Sequence, residues 1–191
     1  MRVDRYADAG DFLGAAESWL SADEVANNVM LSIARSLADG TRTLTEPPYF
    51  AAVTEGGEID CCAIQTPPHR ILLTHGTPRG SAALAADAFE ARGRVPGVIG
   101  PGAATASFAE EWLRLAGGQA RVSMRQRLHK LERGTVIPSV RAVFRFGASL
   151  KRVGCSVGIL ARLAPRRRCG PAGQTRSHAV QTFLGFSARS R

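Results

Sequence analysis

Acidic residues stop abruptly at Glu132. All 16 aspartates and glutamates lie at or before this position, together with 13 of the 25 arginines and lysines. Residues 1–132 therefore carry a formal charge of 13 − 16 = −3, and residues 133–191 carry 12 positive charges and no negative one. The overall charge of +9 describes neither part. The sequence predicts a folded domain over residues 1–132 and a basic segment of different character over residues 133–191.

The basic segment is predicted to be a weakly structured tail. It is rich in arginine, alanine and glycine, a composition that is also typical of G- and C-rich coding DNA translated in a wrong frame. Residues 153–163 fit either a strand or a helix, and residues 175–186 fit a short helix. Two explanations stay open: disordered or non-native sequence, or a basic arm that binds nucleic acid or an anionic surface.

Helix and strand periodicities alternate in the first 132 residues, in the order ααβββαβαβ. Ser21 and Glu24 predict a capping box at the start of the second helix. The alternation of Val122, Met124 and Leu128 with polar residues predicts a half-buried last strand. Helices are predicted over residues 9–20, 21–39, 81–92 and 104–115, and strands over residues 49–54, 59–66, 70–75, 97–99 and from 121 onward. This pattern predicts an α/β fold with a mixed sheet and flanking helices.

No pattern indicates a membrane span, a metal centre or a catalytic triad. Three aspartates interrupt the first 20 residues, so no targeting segment is predicted and the chain is expected in the cytoplasm. The four cysteines form no C-x-x-C pair, and Cys61 and Cys62, as neighbours in a strand, would face opposite sides of the sheet. They are predicted to be small core residues, and the catalytic residues stay unknown.

Several blocks of residues 8–132 carry a family resemblance. They are 19–28 (WLSADEVANN), 47–53 (PPYFAAV), 66–74 (TPPHRILLT), 96–101 (PGVIGP), 108–112 (FAEEW) and 125–132 (RQRLHKLE). Together they resemble the N-terminal lobe of two-lobed bacterial GNAT-type N-acetyltransferases. The resemblance implies a GNAT-like fold, acetyl-CoA as cofactor and a small-molecule or peptide amine as substrate. In that family a strand, an [Q/R]-x-x-G-x-[G/A] loop and a helix of the second lobe bind the cofactor, and this lobe is expected to be missing or frameshifted here.

Two segments are candidates for a residual cofactor site. Residues 98–105 form a glycine-rich turn before a helix, in which Gly100, Gly102 and Thr105 are candidate anion-binding residues. By the resemblance this turn looks like a degenerate copy of the cofactor loop. A tight turn with a helix cap is the alternative, because no arginine or lysine adjoins it.

The second segment is residues 167–172, which match the loop pattern formally, with Arg167 and Gly170 at its defining positions. Pro171 has no N–H where the loop needs a donor. The chain is therefore expected to be a truncated acetyltransferase without tight acetyl-CoA binding. The alternative is a non-enzymatic interaction module whose basic tail binds nucleic acid or an anionic surface.

Overall fold

Seven strands and four helices make up the described part of the chain, which in this computed structural model is residues 1–130 and 176–187. These residues belong to one compact unit. The elements, in chain order, are β1 Arg2–Tyr6, α1 Ala9–Ala22, α2 Glu24–Ala38, β2 Tyr49–Glu55, β3 Glu58–Gln65, β4 Ile71–Leu73, α3 Pro78–Arg92, β5 Gly97–Pro101, α4 Gly102–Ala116, β6 Gln119–Lys130 and β7 Arg176–Ser187.

The strands form one sheet in the order β1-β2-β3-β4-β5-β7-β6. Every neighbouring pair is antiparallel apart from β4 and β5, which run parallel because the crossover helix α3 connects them. The prediction of an α/β fold with a mixed sheet is confirmed. Parallel strands end at the same edge of a sheet, so β4 and β5 deliver the chain to the starts of α3 and α4 at one edge. We call this the carboxyl edge.

Both faces of the central strands are buried. On one face, Phe50 and Ile64 pack with Phe12 of α1 and Met30 of α2. The other face packs against α3 and α4, in a cluster that includes Val53, Leu84, Phe108, Trp112 and Leu184. This two-sided burial explains why β2 and β3 are almost continuously apolar instead of alternating.

Aspartates begin the first two helices. The Asp8 carboxylate accepts a hydrogen bond from the Asp11 N–H at 2.9 Å, and the Asp23 carboxylate accepts one from the Ala26 N–H at 3.3 Å. The capping box predicted from Ser21 and Glu24 is wrong, because α1 continues to Ala22 and Ser21 is already helical. The break between α1 and α2 falls at Asp23.

Substitutions at this break should separate the two capping assignments. Asp23→Ala should cost about 1 kcal/mol of unfolding free energy, because it leaves an N–H of the first turn of α2 without its acceptor. Ser21→Ala should stay within about 0.5 kcal/mol, since it changes an exposed helical position. Urea denaturation followed by circular dichroism measures both. A larger loss of unfolding free energy for Ser21→Ala than for Asp23→Ala would instead support the capping box of Ser21 and Glu24.

Three predictions for the strands need correction. The predicted order omits β1, which pairs with β2 from Arg2 to Tyr6. The strand predicted to be half-buried is β6, and its residues 121–127 are instead exposed at the edge of the described sheet, with Val122 43% and Met124 49% exposed. A register shift between Val122 and Met124 breaks the strict alternation.

The short helix predicted over residues 175–186 is the strand β7, which lies between β5 and β6. This part of the basic segment therefore belongs to the sheet of the front domain. The predictions for residues 133–175, including a strand or helix over 153–163, lie outside the described residues.

Candidate functional site

The glycine-rich turn at residues 98–105 is a direct junction of strand and helix at the carboxyl edge. β5 ends at Pro101, and α4 begins at Gly102 without an intervening loop. Pro101 is the N-cap of α4 and provides no side-chain hydrogen bond. The exposed residues Gly102 and Ala103 thus begin a helix whose N-terminus carries a partial positive charge and no side-chain cap.

Gly100 serves the packing of the sheet. It is buried, and a Cβ at this position would lie 2.9 Å from the Leu73 carbonyl oxygen and 3.0 Å from the Leu73 Cβ. The absence of a side chain therefore permits the close approach of β5 to β4. The close packing of β5 against β4 is a sufficient reason for a glycine at this position, and no bound ligand is needed to explain it.

Thr105 faces the interior of the junction. Its side chain is fully buried, and its hydroxyl lies 3.1 Å from the Pro101 carbonyl oxygen and 3.0 Å from that of Gly102, so it donates back to the start of its own helix. Of the three candidates in this segment, Gly102 alone is exposed at the helix N-terminus, where Thr182 Oγ1 lies 3.4 Å from the position of an added Cβ. The other two candidates, Arg167 and Gly170, lie outside the described residues.

A second helix N-terminus lies at the same edge, where α3 follows β4. Thr77 is its N-cap, with the hydroxyl oxygen accepting the Gly80 N–H at 3.0 Å, and Pro78 occupies the first turn. The Asp60 carboxylate of β3 accepts the Thr77 N–H at 3.1 Å and the Thr77 hydroxyl at 2.8 Å. A carboxylate from the chain itself therefore already occupies the anion position of α3.

Glycines make room for this carboxylate. A Cβ at Gly80 would overlap the Asp60 carboxylate, and a Cβ at Gly76 would overlap the side chain of Cys61. Asp60 carries no signal in the sequence that predicts this role. Thr77 and Pro78 carry a readable helix-start signal, but Asp60 lies 17 residues earlier, in a different strand.

Cys61 and Cys62 face opposite sides of β3, as predicted. Cys61 belongs to the cluster under α3 and α4, and Cys62 to the cluster under α1 and α2. Burial raises the pKa of Cys62 to about 12. The pKa of Cys61 is raised still further, mainly by burial and to a smaller extent by the negative charge of Asp60. Both residues are thus neutral thiols in the core, not nucleophiles.

The two core thiols should be unreactive in the native protein. In a chain with Cys155→Ser and Cys169→Ser, we expect no reaction with Ellman's reagent at pH 8 until denaturant is added, after which both thiols react. The unfolded thiols titrate near a pKa of about 8.5. Above that pH the unfolded chain releases protons that the native chain keeps, so stability should fall as pH rises. Fast reaction of the native chain would contradict the burial.

The described residues are 1–130 and 176–187. Within these ranges, no group of three or more His, Cys, Asp or Glu side chains is placed to hold a metal ion. None of the helices described there combines the length and the apolar character that crossing a bilayer requires.

Comparisons of the chain with family models, curated proteins and solved structures give no match. Any functional assignment therefore depends on the residue blocks of the sequence and on the geometry of the carboxyl edge.

Proposed function

We propose that this chain is a GNAT-type N-acetyltransferase that does not retain acetyl-CoA binding or acetyl transfer. The blocks within residues 8–132 support the family, and a mixed sheet with flanking helices is compatible with its expected fold. The family reaction is the attack of a substrate amine on the acetyl-CoA thioester. The loss of function is inferred from one observation, the Asp60 carboxylate on the N-terminus of α3.

Acetyl transfer requires the thioester to be held against the amine, and this positioning depends on binding the cofactor's pyrophosphate. Backbone N–H groups at a helix N-terminus are a common binding site for such anions. In an open α/β sheet, the helix N-termini that carry such N–H groups lie at the carboxyl edge. In the described sheet, the two helix N-termini at this edge are those of α3 and α4.

Neither terminus provides a strong pyrophosphate site. At α3, Asp60 already accepts from Thr77, and its negative charge would repel a diphosphate. At α4, the exposed groups belong to Gly102 and Ala103, and residues 95–113 contain no arginine or lysine to add positive charge. Thr105, whose hydroxyl donates inside the helix, adds no donor.

An assay of CoA release tests the proposal. With acetyl-CoA and a panel of amines that includes polyamines, amino sugars and peptides, we expect no release above the rate without protein. A second preparation with Asp60→Asn keeps the shape of the α3 cap and removes its charge. Release by the wild-type chain that requires both the amine and acetyl-CoA would contradict the proposal.

An exposed edge strand favours a second candidate, a non-enzymatic interaction module. β6 has β7 as its neighbour in the described sheet and carries Arg121, Arg125, Arg127 and Lys130 without an acidic residue. Its exposed Val122 and Met124 offer apolar contact between the arginines. Such a strand could pair with an acidic partner or attract phosphate. Retention on heparin that weakens with salt, and that is reduced by Arg125→Glu, would favour this candidate.

A further inference from the structure

The strand β6 lies at the edge of the described sheet, with β7 as its neighbour. Its residues 121–127 are exposed, and they include Arg121, Arg125 and Arg127. None of the ion pairs within residues 1–130 and 176–187 involves these three arginines. An edge strand presents backbone N–H and C=O groups with which a further strand can pair. In the described residues, β6 therefore combines a pairing edge with positive charges that have no acidic partner.

The register with β7 assigns the arginines to the faces of the sheet. Arg125 lies opposite Thr182, and Arg127 lies opposite Val180. Residues directly opposite each other project to the same face, so both arginines project to one face with their Cα atoms about 7 Å apart. Met124, which precedes Arg125 in the strand, projects to the other face. A complementary strand would place acidic residues two positions apart, opposite the arginines, and an apolar residue opposite Met124.

Exposed apolar side chains cluster on the same two strands. Among the described residues, five large apolar side chains are exposed, and three of them, Val122, Met124 and Val180, lie on β6 or β7. Charged side chains alone are enough to protect an edge strand from aggregation, and they need no exposed apolar neighbours. Arginine and methionine are both enriched in protein interfaces. The composition of this edge therefore favours contact with a partner over protection alone.

Neither a second copy of β6 nor the basic segment complements these charges. A two-fold antiparallel pairing of two β6 strands centred on Gln126 would place Arg125 opposite Arg127, and one centred on either arginine would place that arginine opposite itself. Like charges directly opposite each other destabilise a strand pair. Residues 133–191 contain no aspartate or glutamate, so this segment supplies no acidic complement either. The charges thus favour an acidic strand from another protein.

We propose that β6 binds an extended acidic segment of a partner protein by β-strand addition, with acidic residues two positions apart opposite Arg125 and Arg127. The proposal rests on the second candidate function, the interaction module, and commits it to a peptide instead of phosphate. Backbone hydrogen bonds to the strand edge provide affinity, and the side chains opposite the arginines provide specificity. A polyanion such as heparin can neutralise the arginines but offers no strand to pair with the edge.

Fluorescence anisotropy of labelled peptides titrated with the full chain tests the proposal. The probe is a peptide with the core Val-Glu-Thr-Glu-Val, in which both glutamates lie on one face of an extended strand. Its control has the core Val-Glu-Glu-Thr-Val, with the same composition and charge but with the glutamates on opposite faces. We expect the control to bind about three-fold more weakly than the probe, because one cross-strand ion pair is lost.

Variants of β6 separate strand pairing from overall charge. Arg125→Glu and Arg127→Glu should each weaken binding of the probe about ten-fold, because an attractive pair becomes a repulsive one. Arg121→Glu makes the same change in net charge, but Arg121 lies opposite Gly185 and projects to the other face, so the loss should be about two-fold or less. A peptide with the core Val-Lys-Thr-Lys-Val should bind the double variant Arg125→Glu/Arg127→Glu more tightly than it binds the wild-type chain.

Three results would overturn the proposal: no binding of the probe at protein concentrations up to about 1 mM, equal binding of probe and control, or equal losses for Arg121→Glu and Arg125→Glu. Heparin binding that depends on Arg125, without binding of the probe, would also overturn it and would assign the strand to polyanions. Because acetyl transfer is not measured in this experiment, each of these failures is distinct from a failure of the proposed loss of acetyl-CoA binding.

Discussion

Gly97→Ala is expected to cost about 3 kcal/mol or more of unfolding free energy, because it combines backbone strain with a steric clash. Gly97 has φ of +151°, a conformation that side chains rarely adopt. A Cβ at this position would also overlap the Leu184 carbonyl oxygen. β5 and β7 are in register here, with Gly97 opposite Gly185, so the alanine would push the two strands apart.

Gly117→Ala is the matched control. Gly117 also has a positive φ, +68°, but nothing lies within 4 Å of the position of its Cβ. Its substitution should cost about 2 kcal/mol, from backbone strain alone, because its φ of +68° and ψ of −165° are almost confined to glycine. The difference between the two variants, measured by urea denaturation, reports the approach of β7 to β5. Equal losses would mean that β7 does not pack against β5.

Leu184→Asp is expected to prevent stable folding. Leu184 is 8% exposed and belongs to the cluster under α3 and α4, so the substitution would bury an unpaired carboxylate beside aromatic rings. A loss of about 4 kcal/mol or more is expected, which would exhaust most of the stability of a domain this small. The variant should show a reduced helical signal in circular dichroism and no cooperative thermal transition.

Val180→Asp tests the same strand from its exposed side. Val180 is 46% exposed, and aspartate there should change stability by less than about 1 kcal/mol. A disordered tail would tolerate both substitutions equally. Equal, small effects of Leu184→Asp and Val180→Asp would therefore contradict the placement of residues 176–187 in the sheet.

The helices and the hairpin could be predicted because their signals are local. Two glycines separate the apolar runs of β2 and β3, and Gly40 follows α2 with the positive φ expected of a helix stop. The prediction for residues 81–92 begins α3 three residues late, because Thr77 is its N-cap and Pro78 lies in its first turn. In each case the residues that determine the element lie within it or next to it.

Strand β1 could not be predicted from its own residues. Its sequence alternates poorly, and Arg5 gains its stabilising contacts from distant residues: its Nε lies 2.9 Å from Asp87, and its guanidinium also pairs with Glu90. Such contacts span more than 80 positions of the chain and leave no local pattern.

Strand β7 was missed for a related reason. It lies between β5 and β6 in the sheet but follows β6 by 45 residues in the sequence, because β6 ends at Lys130 and β7 begins at Arg176. Gln181, Thr182 and Leu184 are all buried, so the strand does not alternate cleanly between apolar and polar residues. The absence of acidic residues led to the prediction of a weakly structured tail over residues 133–191. Residues 176–187 nevertheless form a strand of the sheet.

In the candidate site, too, the features with a local sequence signal could be predicted, and those that depend on distant residues could not. The turn at Gly100 and Gly102 could be located from the sequence, but the packing role of Gly100 depends on the neighbouring strand β4. The position of Asp60 at α3 depends on a contact between two elements, which no spacing rule describes.

Calorimetric titration of the wild-type chain with acetyl-CoA is the most direct test of the proposed loss of cofactor binding. Asp60 lies on the N-terminus of α3, and α4 has no side-chain cap and no arginine or lysine within residues 95–113. We therefore expect no heat of binding at concentrations up to about 1 mM, which corresponds to a binding free energy weaker than about −4 kcal/mol. Saturable binding with a dissociation constant of about 1 μM, or about −8 kcal/mol, would show that a complete pyrophosphate site exists and would contradict the account.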